Sequence, residues 1–116
     1  MRHRNKNKIL DRKKEARRAL LRSLATNLIL YEKIKTTEAK AKVIRPIVER
    51  IITKAKNNDL TTRRELLKYL YKENAIKKVL EDLSVRYKDR KGGYLRIQKI
   101  GTRAGDAAKM AQIEFV

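Results

Sequence analysis

Cysteine and tryptophan are absent from the 116 residues, which hold one proline, one histidine, one phenylalanine and four glycines. Without cysteine there is no disulfide, no thiolate nucleophile and no cysteine-based zinc site, a composition that suits a reducing interior. Long apolar runs are missing too. No stretch approaches the length of a membrane span, and the basic amino terminus is not followed by the apolar segment a secretory signal needs. The expectation is a soluble intracellular protein with no membrane insertion. Acidic residues are also few: 13 Asp and Glu stand against 32 Lys and Arg, a formal charge of +19. Such an excess repels itself in a compact body unless a polyanion neutralises it, so the partner is expected to be acidic.

Material for catalysis is thin. His3 lies in a basic amino-terminal arm where no second residue can hold it as a preorganised base. The carboxylates are scattered among Lys and Arg at helical spacing, the pattern of local ion pairs, and no metal-ligand cluster appears. The glycine-bearing stretch GTRAGDAAK, residues 101–109, invites comparison with a phosphate loop. A phosphate loop needs Lys and then Ser or Thr directly after its last glycine, whereas Gly105 is followed by Asp106 and Ala107. What remains is a hairpin connection in which Asp106 bonds nearby backbone amides while Arg103 and Lys109 can meet phosphates. The sequence therefore predicts no enzyme, no cofactor, no metal and no small-molecule substrate.

Read for elements, the arm MRHRNKNK has no apolar residue after its methionine and is expected to stay disordered until a polyanion orders it. From Asp11, a potential N-cap, a helix is predicted to about Tyr31, burying Leu21, Leu24, Leu28 and Tyr31. Its first turns carry Lys13, Lys14 and Arg17 where core residues would sit. Residues 33–37 alternate as a short strand, with Ile34 and Thr36 on one side. A helix from about Glu38 to Asn57 buries Ala41, Ile44, Val48, Ile51 and Ala55, with a kink or break expected at Pro46. Thr62 and Glu65 have capping-box spacing ahead of Leu66, Leu67 and Leu70, and Asn74 can cap a fourth helix carrying Ile76, Val79, Leu80 and Leu83. Residues 94–100 and 110–116 alternate as strands. Tyr87 and Tyr94 bracket a basic turn, where packing is favoured over stacking on an unpaired base. The sum is an α+β fold, about four helices packed on a small, about three-stranded, mixed or antiparallel sheet. Residues 1–10 are expected to form a basic arm for a polyanion and 11–116 a single compact domain.

Charge is concentrated in two places. The first 22 residues hold ten Lys and Arg against Asp11 and Glu15, and residues 84–105 hold seven against Asp89 alone. Phosphate contacts give salt-dependent affinity with little sequence preference, whereas folded RNA adds shape that a rigid domain and an arm read jointly. A nucleoid-type protein on duplex DNA is the alternative, although no dimer-sized apolar face is left over for the symmetric dimers such proteins form.

At this point the chain is identifiable. MRHR at the start, IKTTEAKAK at residues 34–42, and GGYLRI followed by RAGDAAKMAQIEFV resemble the bacterial large-subunit ribosomal protein seventeen family, in order and over the whole chain. It departs from the family pattern at Ala16 and Ser23, where members have His and Asn. The resemblance implies a non-enzymatic structural constituent of the large ribosomal subunit in the cytoplasm. It would be bound to ribosomal RNA near the nascent-chain exit tunnel, with other ribosomal proteins beside it. Carried onto matching positions, the RNA contacts would come from Arg2, His3 and Arg4, then Arg12, Arg17 and Arg22, then Lys35, Thr36 and Thr37, and finally Arg96 and Arg103. Lys6, Lys8, Arg18, Lys40 and Lys99, interspersed with these, complete the expected RNA-binding set.

Overall fold

A computed structural model of the chain describes residues 13–70 and 72–116. The expected arm, the Asp11 cap and Arg12 lie outside the described residues. The elements run α1 (Lys14–Tyr31), β1 (Lys33–Thr37), α2 (Glu38–Ala55), α3 (Leu60–Leu70), α4 (Glu73–Lys78), β2 (Leu95–Thr102) and β3 (Lys109–Phe115). After Lys78 the fourth helix continues through a π-helical turn, Val79–Leu83, into a last turn, Ser84–Arg86. The strands form one antiparallel sheet in the order β1-β3-β2, the fold class that the alternation of patterns predicts.

Helix α2 supports the sheet. Its stripe of Ala41, Ile44, Val48, Ile51 and Ala55 is buried as its spacing requires, with Ile52 added. It meets Ala111, Ile113 and Phe115 of β3 and Leu95 of β2, each a buried member of the same core. Fully burying one such aliphatic side chain stabilises the fold by about 1.5–3 kcal/mol, so this face alone fixes which side of the sheet turns inward. Tyr87 and Tyr94 are buried with their rings 5.3 Å apart, and their hydroxyls reach the Val116 carbonyl and Thr53 at 2.7 and 3.2 Å. Packing, not base stacking, occupies them.

The one-residue link between α1 and β1 is Glu32, at φ 65°. A left-handed conformation costs a non-glycine residue about 1–2 kcal/mol. Here it is offset by bonds on every side. The Glu32 amide donates to the Leu28 carbonyl at 2.8 Å, its carbonyl accepts from the Phe115 amide at 3.0 Å, and its carboxylate takes Lys78 at 3.1 Å and Arg86. The Arg86 guanidinium, aided by Lys78, holds that carboxyl below its usual range, although burial pushes it up.

Four local expectations are corrected. The buried arc of α1 centres on Ala25, Leu28 and Ile29, while Tyr31 is 69% exposed. The helix faces α2, α3 and α4 at once, and the chain reverses immediately after Tyr31, so that ring is left outside. Pro46 does not break α2, because it lies on the exposed face, where water can bond the Lys42 carbonyl that proline cannot. The capping box at Thr62 and Glu65 is not used. Asp59 caps α3 instead, accepting from the Thr62 amide at 2.8 Å, and its carboxyl is lowered by that backbone bond. Asn74 does not cap α4, which starts one residue earlier, at Glu73.

Candidate nucleic-acid interface

Three surfaces carry the predicted residues. The first is the leading part of α1. Lys13 to Ala16 are exposed and the first fully buried residue is Ala25, so the helix projects a polar, cationic end past the core. Arg18 and Arg22 line a cleft of about 390 Å³ with Thr26, Leu70 and Lys72. The Arg22 guanidinium lies over the Tyr69 ring, 5.3 Å from its centroid, and burial pushes the Tyr69 phenol up. Below the cleft the Thr26 hydroxyl sits 2.8 Å from the Arg22 carbonyl and 3.2 Å from the Leu70 carbonyl, tying α1 to the end of α3.

The second surface is the sheet face that α2 does not cover. Register makes its rows explicit. Lys33, Glu114 and Arg96 stand side by side, then Lys35, Gln112 and Gln98, then Thr37, Met110 and Gly101. Arg96 donates to Glu114 at 3.0 Å, and the Gln112 amide reaches Glu114 at 3.4 Å. Lys33 and Lys35 are exposed and form no ion pair among the described residues.

The third is the hairpin tip. Arg103 donates from Nε and Nη2 to the two Asp106 oxygens at 3.0 and 2.6 Å, and the Ala108 amide donates to the same carboxylate at 3.2 Å. Backbone bonds between Arg103 and Ala108 (2.8 Å) and between Ala107 and Arg103 (2.9 Å) close the turn, with Ala107 at φ 55°. Asp106 has the turn role its position suggests. Arg103 holds its carboxyl down to about 2.

Not all predicted residues are brought together. Arg17, Arg18 and Arg22 occupy α1, whose 18 residues span about 27 Å, so its basic end stands well away from β1. Thr36 is buried on the inner side of β1, and the Thr37 hydroxyl caps α2 by accepting from the Lys40 amide at 3.3 Å. Lys99 stands on the helix side of the sheet, 3.8 Å from Glu38, whereas Arg96 stands on the open side. Arg2, His3, Arg4, Lys6, Lys8 and Arg12 lie outside the described residues. Sequence reasoning passed over Lys33, Gln98 and Gln112; the period-two alternation of the strands was the signal that puts them on one face.

Among the described residues no helix is long and apolar enough to cross a membrane, and no group of three or more His, Cys, Asp or Glu could hold a metal ion. Most of the described carboxylates are engaged within the fold, among them Glu32 with Lys78, Glu38 with Lys42, Glu65 with Lys54, Glu73 with Arg63 and Asp82 with Arg86. A small α+β body with most of its described acids paired internally and its surplus cations facing outward is built as a basic surface for an acidic partner. Residues 20–116 match the family of ribosomal protein L17, and the chain belongs to that family. It is 50% identical to the large ribosomal subunit protein bL17 of Caldanaerobacter subterraneus subsp. tengcongensis, over 92% of this chain and 96% of that one. It is 51% identical to the protein of the same name from Hydrogenobaculum sp., over 100% and 99%, and 50% identical to that of Rickettsia typhi, over 100% and 85%.

Proposed function

We propose that this protein is a structural constituent of the large ribosomal subunit in the cytoplasm. It binds large-subunit ribosomal RNA beside the exit tunnel for nascent chains, in contact with neighbouring ribosomal proteins. Family membership supports the assembly, and the tunnel-side position follows the resemblance in the sequence. The observation that carries RNA binding is the division of charge: most described acids are paired within the fold, while Arg17, Arg18, Lys33, Lys35 and Lys40 form no ion pair among the described residues. Cations left over on α1, on β1 and at the start of α2 suit phosphates arriving from several directions, as in a crevice of folded RNA. Arg2, His3, Arg4, Lys6, Lys8, Arg12, Arg22, Thr36, Thr37, Arg96, Lys99 and Arg103 complete the proposed contact set.

Sedimentation of a cell lysate at moderate salt tests the assignment. The chain is expected to travel with large ribosomal subunits and to leave them as salt is raised. Recovery with chromosomal DNA instead would overturn the reading in favour of a nucleoid protein.

A further inference from the structure

The open sheet face carries Lys33 and Lys35 along its β1 margin, Glu114 and Gln112 on the middle strand, and Arg96 and Gln98 along its β2 margin. Gln112 and Gln98 are neighbours on adjacent strands. The margins are two strand spacings apart, about 9.6 Å. Glu114 is the one carboxylate in these rows, engaged by Arg96 at 3.0 Å and by the Gln112 amide at 3.4 Å. The third row ends at Gly101, at φ 109°, directly after the register shift between Lys99 and Gly101, so no side chain rises at that corner. No aromatic stands in these rows; the rings of Tyr94 and Phe115 are buried in the core, which removes the base-stacking mode that sheet platforms use for single strands.

A flat polar strip with two lysines along one edge and Arg96 on the other fits a wide, shallow groove better than a deep one. The minor groove of A-form RNA is wide and shallow and displays ribose 2′-hydroxyls between its two phosphate backbones. A primary amide both donates to and accepts from a hydroxyl, so a Gln pair can bond riboses where DNA offers nothing. We propose that the open face of the sheet is a minor-groove platform for duplex RNA, with Gln98 and Gln112 on the ribose hydroxyls and Lys33, Lys35 and Arg96 on the flanking phosphates. The platform rests on the RNA-binding reading given above and specifies its form at this face. Glu114 opposes it: the carboxylate occupies Arg96 and repels phosphate.

The test uses the full chain, a synthetic RNA duplex of about 16 base pairs and the DNA duplex of the same sequence, with protein-free large-subunit ribosomal RNA as a third probe. Wild-type protein is expected to prefer the RNA duplex. Gln98→Ala with Gln112→Ala, both on the solvated face and compatible with folding, is expected to weaken RNA duplex binding about tenfold and leave DNA binding unchanged. Glu114→Gln is expected to tighten both. Equal losses on the two duplexes, or none, would overturn the platform while ribosomal RNA binding by the wild type keeps the functional reading intact. Ribosomal RNA affinity unchanged in Lys33→Ala with Lys35→Ala would also overturn it and assign the face to an acidic protein surface. Wild type that ignores all three probes would overturn both readings.

Discussion

At the hairpin tip one residue decides how a cation is presented. Arg103 has two of its donors committed to Asp106, in a fork–fork geometry that fixes the guanidinium plane rather than leaving a long side chain to search. The carboxyl, ordinarily near 3.8, is held at about 2 by Arg103 and then by the Ala108 amide. A depressed folded-state value means that the latch contributes in full above the ordinary carboxyl value and is lost as pH falls through about 2. A carboxyl carbon-13 NMR titration of the free protein should therefore show Asp106 titrating with a midpoint near 2, and no change in the loop amides between pH 7 and 4. A midpoint at the ordinary value would mean that the fork does not persist in solution. The sequence made the turn role of Asp106 readable from its neighbours, but not the pairing, which needs the register of two strands to place Arg103 and Ala108 together.

Among the elements, α2 is where local chemistry and packing disagree. An interior proline removes a hydrogen bond and strains the preceding turn, at about 3 kcal/mol against a good helix former. Restricting the unfolded chain returns about 0.4–1 kcal/mol of that. The helix nevertheless runs unbroken from Glu38 to Ala55, because Ile44 and Val48 on either side of Pro46 are fully buried under the sheet. Since Pro46 itself is exposed, Pro46→Ala should stabilise the free protein by about 2 kcal/mol in urea unfolding. Unchanged or reduced stability would mean that the proline sets a bend the sheet requires. Period alone made this helix, its buried stripe and all three strands legible, because a half-buried face leaves its spacing in the sequence whatever it packs against. Caps were less legible. Asp59, Thr62 and Asn74 are all acceptable N-caps, and only the approach of the preceding chain selects Asp59 and leaves α4 without a side-chain cap. The π-turn at Val79–Leu83 had no sequence signature, since Ile76, Val79, Leu80 and Leu83 fit an ordinary helix as well.

For the whole molecule, a formal charge of +19 over 116 residues sets two effects of salt against each other. Uncompensated charges about 20 Å apart repel by roughly 0.2 kcal/mol per pair in water. Nineteen such charges make roughly 170 pairs, so the unscreened repulsion reaches tens of kcal/mol, part of which unfolding relieves. Ion pairs such as Lys54–Glu65 and Arg63–Glu73 are largely exposed and contribute at most about 1 kcal/mol each. Repulsion therefore dominates the salt dependence of the free protein. Its melting temperature should rise between about 0.01 and 0.1 M salt, over which the screening length falls from about 30 to about 10 Å. RNA binding should move the other way, log K falling with log salt by about 0.7–0.9 for each phosphate neutralised. Calorimetry of the free chain and filter binding to ribosomal RNA, run over one salt series, check both slopes. A melting temperature that falls with salt would show that the internal ion pairs outweigh the net charge, and that the fold does not need a polyanion to relieve it.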